Sequence, residues 1–165
     1  MHFFRVKLSS KGRYAVRALF DIAFFNEGRP TQVKDIAERQ SIPPRFLEQI
    51  FQDLKRAGIV GSKRGPQGGY LLARPPHQIP LGEVVAIIEG PVALGEASGP
   101  GPVRALGRSD SGAAADGQRV TDAIFEELSG QISDCLNSVT LADVCSRADE
   151  FGICRPGAEK SQYFI

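Results

Sequence analysis

Three polar side chains in the stretch 45–49 have the donor and acceptor groups that read the edges of DNA bases. Arg45 can donate two hydrogen bonds to guanine, Gln49 can pair bidentately with adenine, and Glu48 can accept from a cytosine amino group. Phe46, beside them, can contact a thymine methyl group. The combination predicts a DNA-reading surface. The alternative is an ordinary polar surface on a core helix.

A basic hairpin is predicted shortly after these residues. Two short strand-like stretches within 60–73 flank a turn that contains one proline and three glycines, with Lys63 and Arg64 at its tip. A helix followed at once by a basic hairpin is typical of winged helix-turn-helix proteins. The order of elements therefore predicts a recognition helix over about 44–57 in the major groove. It also predicts that the wing arginine, Arg64, reaches the minor groove or a phosphate. The candidate phosphate contacts, which position DNA without reading its sequence, are Lys7, Lys11, Arg13, Lys63 and Arg74.

The elements that must position these side chains follow from capping residues and apolar spacing. Ser9 or Ser10 can cap the first helix, Thr31 the second and Thr140 the last. In the recognition helix, apolar residues at i, i+3, i+4 and i+7 form the buried stripe and leave the opposite face to the polar side chains. These apolar residues are Leu47, Ile50, Phe51 and Leu54. Helices are predicted over 9–27, 31–40, 44–57, 81–89, 119–137 and 140–147.

Two helices have apolar patterns that predict contacts beyond a simple core. The first helix is apolar on two sides, which indicates a position between two layers, one of them the core and the other a dimer element. The long helix over 119–137 has apolar residues spaced like a coiled-coil seam. These are Ile124, Leu128, Ile132, Cys135 and Val139. The predicted fold is mainly α, a winged helix-turn-helix domain with a two-stranded wing plus a long C-terminal dimerisation helix.

Charge divides the chain into two unlike parts. Residues 1–76 contain 14 Lys and Arg against 6 Asp and Glu, a net charge of +8, whereas residues 77–165 contain 6 against 13, a net charge of −7. This division favours a polyanion-binding domain attached to a separate partner or sensor region, over two ordinary solvated surfaces. We predict a DNA-binding domain over 1–91, a flexible loop over 92–118, and a dimerisation helix with a C-terminal tail over 119–165.

No apolar stretch approaches the roughly 18 residues that a membrane span needs, and the N-terminus is too short and mixed for a secretory signal. A cytoplasmic protein without a membrane partner is expected. Nucleophile–base pairs, phosphate-binding loops and metal-ligand helix motifs are missing from the sequence, so no catalytic residue and no enzymatic activity are predicted.

Three stretches resemble a known family. Residues 7–15, 46–50 and 64–70 are similar to those of the IscR-like, Rrf2-type winged-helix regulators, and the resemblance extends closely over 7–91 and loosely over 119–145. It implies a homodimer, joined by the long helix, that binds a partly palindromic operator in double-stranded DNA and regulates transcription, with repression as the expected action. By this resemblance, Arg45, Phe46, Glu48 and Gln49 match the base-reading positions, and Arg64 matches the wing residue in the minor groove.

The cysteines depart from the family pattern. Sensor members bind an iron–sulfur cluster through three cysteines in the loop before the long helix, but residues 90–118 contain neither Cys nor His. Cluster ligation needs thiolates or imidazoles, so no cofactor and no metal site are expected. Cys135 is predicted to be a small buried hydrophobe on the seam. Cys145 and Cys154 are a candidate redox pair, since the neighbouring Arg155 can lower a thiol pKa. The alternative functions are an iron–sulfur or thiol-based sensor that uses these C-terminal cysteines, and a protein–protein interaction module with the same fold.

Overall fold

Six helices and one two-stranded antiparallel sheet form the part of the chain that the structure describes, in agreement with the predicted mainly-α fold. The structure is a computed structural model, and it describes residues 8–26, 28–94 and 113–155. Lys7 and most of the predicted loop lie outside the described residues, as does the end of the tail. The elements are α1 (Ser10–Phe25), α2 (Val33–Gln40), α3 (Pro44–Arg56), β1 (Val60–Lys63), β2 (Gly69–Leu72), α4 (Leu81–Glu89), α5 (Ala113–Asn137) and α6 (Leu141–Glu150).

A side chain caps the N-terminus of α1, whereas no side chain caps that of α2. Ser9 caps α1 as predicted, because its side chain accepts a hydrogen bond from the Gly12 N–H. The prediction that Thr31 caps α2 is wrong. Gln32 is the N-cap and makes no side-chain cap bond, while Thr31 forms an antiparallel β-bridge with Tyr70. The helix-turn-helix connection is thus tied to the wing rather than capped by a hydroxyl.

The core lies between α1, α3 and α4, and α2 contributes Ile36 and Ala37 to it. The predicted stripe of α3 is fully buried, and α1 meets it with residues of its own. Burial of each large apolar side chain contributes about 1.5–3 kcal/mol, so the contact between α1 and α3 contributes much of the stability of the core. The buried residues of the two helices are Leu47, Ile50, Phe51 and Leu54 in α3 and Ala15, Ala18, Leu19 and Ile22 in α1.

The second apolar side of α1 packs against α6 of the same chain. Phe24 is fully buried in a small cluster with Cys145 and Ala148, and Phe20 stacks on Phe24 at 5.1 Å between ring centroids. The second layer on α1 is therefore the last helix and not the dimer element that we expected. Sequence alone does not distinguish the two, because both would cover the same aromatic residues.

The C-terminal helices are anchored to the start of α4. Thr140 and Pro80 form a β-bridge, and the Leu81 N–H donates to the Val139 carbonyl at 2.8 Å. Thr140 caps α6 as predicted, in a capping box with Asp143. Hydrogen bonds from the Thr140 hydroxyl and backbone N–H lower the pKa of Asp143. The long helix begins at Ala113 rather than at residue 119.

One side of α5 leaves large apolar side chains uncovered. The exposed fractions run from 61% at Val120 to 40% at Leu128, with Ile124 and Phe125 between them. Cys135 is also exposed, so its predicted burial is wrong for the single chain. Among the described residues, no helix is long and apolar enough to cross a membrane.

Candidate nucleic-acid interface

The recognition helix α3 presents the predicted base-reading side chains to solvent. Arg45, Phe46, Glu48 and Gln49 are all exposed, because the buried stripe occupies the opposite side of the helix. Pro44 stands at the first helical position, where its fixed φ suits the helix and its missing N–H costs no hydrogen bond. The sequence thus folds this segment so that the polar groups occupy the outer face from the first turn onward.

Phe46 lies against α1 while keeping about half of its surface exposed. Its ring meets the Tyr14 ring edge-on at 6.1 Å between centroids, and 47% of the residue is exposed. The Arg17 guanidinium lies 6.0 Å from the centre of the same Tyr14 ring. The start of the recognition helix is therefore supported by α1, and a face of Phe46 stays available for an apolar contact.

The candidate phosphate contacts fall into two groups. Arg13 and Lys63 are exposed and have no ion pair within the residues the structure describes, and Arg13 makes only a long hydrogen bond of 3.4 Å to the Ser10 hydroxyl. Lys11 pairs with Asp53 at 2.8 Å, and Arg74 pairs with Glu83 at 2.8 Å. A phosphate would have to compete with a carboxylate for either of these. Such half-exposed pairs contribute about 1 kcal/mol or less, so the competition is weak.

The wing is an antiparallel hairpin with its arginine at the turn. Val60 pairs with Leu72 and Lys63 with Gly69, and Arg64 follows β1 directly and is exposed. The turn is closed by a hydrogen bond of 2.9 Å from the Gly68 N–H to the Gly65 carbonyl. A Cβ at Gly68 would collide with the Lys63 carbonyl oxygen, which explains the glycine at this position.

The wing contacts α3 through two side-chain pairs. The rings of Phe51 and Tyr70 stack at 4.3 Å between centroids with an interplanar angle of 11°. Lys55, near the end of α3, donates to the Ser62 hydroxyl on β1 at 2.6 Å. These contacts connect the wing to the helix that carries the predicted base-reading side chains, and no sequence pattern indicated them.

A second set of contacts holds the wing to the connection between α1 and α2. Thr31 and Tyr70 exchange two backbone hydrogen bonds of 2.8 Å each. The Gln32 side chain donates to the Pro66 carbonyl at 3.1 Å. These partners are far apart in the chain, so local sequence patterns give no signal for the pairing. The paired glycines 68 and 69 are the one local hint of a close backbone approach.

A buried carboxylate fixes α2 against α1. Asp21 is fully buried, and two nitrogens of the Arg39 guanidinium donate hydrogen bonds to its carboxylate, the shortest being 2.6 Å. Gln40 adds a hydrogen bond of 2.9 Å to the same carboxylate. The hydrogen bond to Asp21 raises the pKa of Arg39 against the opposing effect of burial. The pair therefore joins α2, the first helix of the helix-turn-helix, to α1.

The two cysteines of the candidate redox pair, Cys145 and Cys154, lie in different environments. Cys145 is buried, and burial raises the pKa of its thiol, although the charge of Arg155 partly opposes this. A thiol with a raised pKa has less thiolate and reacts more slowly, the reverse of what a redox cysteine needs. Cys154 is exposed, but Arg155 pairs with Asp149 at 3.0 Å and lies over the Phe24 ring at 4.7 Å.

The residues present do not fit an iron–sulfur cluster. The segment 90–118 contains no Cys or His. Of the three cysteines, one is buried beside Phe24 while the other two are exposed. Over the described ranges, no group of three or more His, Cys, Asp or Glu side chains is arranged to hold a metal ion.

Comparison with known proteins gives concordant matches. The family model described as Rrf2, iron-dependent transcriptional regulator, matches residues 8–147. The HTH-type transcriptional regulator IscR of Vibrio campbellii is 39% identical over 139 residues, which cover 84% of this chain and 77% of the relative. The regulator of the same name from Escherichia coli O1:K1 is 35% identical over 144 residues, 87% of this chain and 83% of the relative.

Solved structures match over similar lengths. T. potens IscR has a TM-score of 0.67 at 37% identity, and the match covers 92% of this chain and 94% of that one. CymR of B. subtilis, the global cysteine regulator, has a TM-score of 0.62 at 31% identity, covering 87% of this chain and 98% of that one.

Proposed function

The chain belongs to the Rrf2 family of winged-helix, DNA-binding transcriptional regulators, and we propose that it binds a specific operator as a homodimer and represses transcription there. The observation that carries the proposal is the outward display of Arg45, Glu48 and Gln49 beside a basic wing that contacts the same helix. This makes the alternative of a protein–protein module unnecessary, since such a module needs neither feature.

In the proposed complex, α3 lies in the major groove and the wing reaches the adjacent minor groove. Arg45 reads guanine, Gln49 reads adenine and Glu48 accepts from cytosine, while Phe46 contacts a thymine methyl group. Arg64 enters the minor groove. The surrounding cations contact phosphates and set the register without reading sequence. These are Arg13 and Lys63, with Lys11 after it leaves Asp53, and also Lys7 and Arg74.

The apolar side of α5 supports a homodimer. Val120, Ile124 and Leu128 are spaced at i, i+4 and i+8, and all three are exposed in the single chain. A second copy that covers this stripe would bury it and place two recognition helices on two half-sites. Dimeric helix-turn-helix proteins address half-sites that lie about one helical turn, or a multiple of it, apart.

Operator binding without a cluster is part of the proposal. The family model is described as iron-dependent, but this chain lacks the ligands for a cluster in 90–118, and the Cys145 thiol is buried. We therefore propose that this regulator binds its operator without a cluster held in that segment and without oxidation of Cys145. A regulator of this kind acts in the cytoplasm, where its operator is, and no enzymatic activity is proposed.

Selection of bound DNA from a random pool tests the proposal directly. A palindromic consensus is expected, with a preference over scrambled DNA of about 10³ or more at physiological salt. The Lys63→Ala variant should reduce the salt dependence of binding by about one unit of log–log slope, since one phosphate contact is lost. Lys34→Ala on the exposed side of α2 is the control for loss of one positive charge. Equal affinity for consensus and scrambled DNA would contradict sequence-specific binding.

The cofactor part has its own test. Protein purified without oxygen is expected to be colourless and to bind the consensus as tightly as protein exposed to air. A visible iron–sulfur absorption band, or operator binding that needs iron and sulfide, would overturn this part alone.

A further inference from the structure

Two residues outside the predicted DNA contacts lie where the wing meets the connection between α1 and α2. We infer that Gly69 and Gln32 are positioning residues for Arg64, which hold the wing arginine at a fixed place relative to the recognition helix before DNA binds. The inference rests on the proposed role of Arg64 in the minor groove.

Gly69 lets β2 lie directly on the connection between α1 and α2. Its φ of +149° is one that side-chain-bearing residues rarely adopt. A Cβ on Gly69 would collide with the Thr31 carbonyl group, which is a backbone group and has little room to move. This close approach is what allows Thr31 and Tyr70 to exchange two hydrogen bonds of 2.8 Å. Any larger residue must push the base of the wing outward.

Gln32 holds the turn of the wing from the same side. Its side chain donates at 3.1 Å to the carbonyl of Pro66, two residues after Arg64. Gln32 is exposed and does not cap α2 with its side chain, so neither burial nor capping accounts for this residue. Among the described residues, this is the one hydrogen bond that the Gln32 side chain makes.

The opposite side of the hairpin rests on the recognition helix. Tyr70 follows Gly69 and stacks on Phe51, which is fully buried in α3. Ser62, across the hairpin from Tyr70, accepts from Lys55 of α3 at 2.6 Å. The hairpin is thus held between the α1–α2 connection and α3. A wing held in this way loses little conformational entropy when it binds DNA. Displacement of the hairpin should therefore weaken binding mainly because Arg64 no longer reaches its contact.

A double-mutant cycle tests the inference on the full chain with the selected operator. Arg64→Ala is expected to weaken binding about tenfold, within the range of a specific arginine contact. Gly69→Ala should weaken binding by a similar factor, and Gln32→Ala about threefold to fivefold, as for one lost hydrogen bond. In the Arg64→Ala background, each of the two substitutions should weaken binding by a smaller factor than in the parent protein, because only the Lys63 contact of the wing is left to be displaced.

Gly28→Ala is the matched control for backbone strain. Gly28 also has a positive φ, of +81°, but no atom lies within 4 Å of an added Cβ. This variant should lower the melting temperature without weakening operator binding. Thermal unfolding of each variant shows which ones are folded at the assay temperature. If Gly69→Ala is not folded, the exposed Gln32→Ala carries the test.

The outcomes separate the inference from the proposed function. If Arg64→Ala binds the operator as well as the parent protein does, the minor-groove role of Arg64 is wrong and the inference falls with it. If Arg64→Ala weakens binding but Gly69→Ala and Gln32→Ala do not, only the positioning role is overturned. Equal losses in both backgrounds would also overturn it, because they would reveal a direct contact or a general loss of stability.

Discussion

The winged-helix part and the long helix α5 differ in how far their side chains find partners within the chain. In the first, the wing contacts the recognition helix and the connection between α1 and α2. The fully buried Asp21 of α1 is paired with Arg39 of α2. In α5, apolar side chains as large as Ile124 and Phe125 stay exposed. A surface that reads DNA gains from being rigid before it binds, whereas an exposed apolar stripe is complete only when another surface covers it.

Removal of the buried carboxylate should give the largest effect and test the rigidity of the first region. Asp21→Ala removes the hydrogen bonds that Arg39 and Gln40 make to a buried carboxylate. We expect the free energy of unfolding to fall by about 3 kcal/mol, the upper end for hydrogen bonds to a charged group, since Arg39 itself stays partly exposed. Urea denaturation measures this. The control is Lys34→Ala, which removes an exposed pair with Glu38 and should cost less than about 0.5 kcal/mol. Similar losses for both variants would show that Asp21 does not fix α2.

A charge in the apolar stripe should break the assembly and leave the fold intact. Leu128→Glu is expected to yield monomers and to weaken operator binding by about 100-fold or more, since the two half-sites are no longer bound together. Sedimentation velocity and gel shifts measure the two effects. Gly130→Glu is the control, because residue 130 lies on nearly the opposite side of α5 and nothing lies within 4 Å of an added Cβ. A Leu128→Glu variant that remains dimeric would place the interface elsewhere.

Loss of one proposed base-reading side chain should have a smaller effect, confined to one base position. Gln49→Ala is expected to cost about 1–3 kcal/mol of discrimination at one adenine position, with little change in affinity for scrambled DNA. Gln52→Ala removes the same side chain one turn later on the exposed face of α3 and should change discrimination less. Competition binding with single-base variants of the consensus gives the comparison. If the two variants behave alike, Gln49 does not read a base.

The smallest expected effects are differences in the alkylation rates of the three cysteines, which lie in α5, in α6 and after α6. Alkylation at pH 8 should label Cys154 first and Cys145 slowly, since Cys145 is buried and burial raises the pKa of its thiol. Cys135 should be protected in the dimer and become reactive in Leu128→Glu. Mass spectrometry of timed samples measures the order. Fast labelling of Cys145 in the folded protein would contradict its burial.

The same raised pKa has a consequence for stability. When the pH rises through the ordinary range of a thiol, Cys145 ionises in the unfolded chain before it does so in the folded one. The stability of the parent protein should therefore fall slightly over this range, and that of Cys145→Ala should fall less. Urea denaturation at several pH values gives the slopes. Equal slopes would show that Cys145 does not contribute to the pH dependence.

Local patterns were sufficient to predict the helices, the wing and the buried stripe of α3, because each depends on spacing within a few turns. The cap at Ser9 and the capping box at Thr140 were equally local. Thr31 was mistaken for a cap because its actual partner, Tyr70, is distant in sequence. The burial of Asp21 was missed for the same reason, since Arg39 lies on another helix. Cys135 was predicted to be buried from its seam position, and a single chain leaves it exposed.

The sequence predicted which residue types the site contains, but not the ion pairs and packing contacts that hold them. Arg45, Glu48 and Gln49 were placed on the outer face by helical spacing alone, and they are exposed there. The pairs that restrict Lys11 and Arg74 join separate elements, so no periodicity reveals them. The direct reading of a DNA base by any of these residues stays a prediction, as do the domain boundaries.

The packing of α6 on α1 also bears on how the protein is made. Phe24 and Cys145 are in one buried cluster but are about 120 residues apart in sequence, a separation that delays their contact during synthesis. While the ribosome is still translating the segment before Leu141, a nascent chain has its helix-turn-helix sequence but lacks the α6 residues that pack against Phe24. The Phe24 side of α1 therefore becomes fully buried only after α6 has left the exit tunnel. Until then the Phe24 side chain is partly exposed to other proteins, chaperones among them.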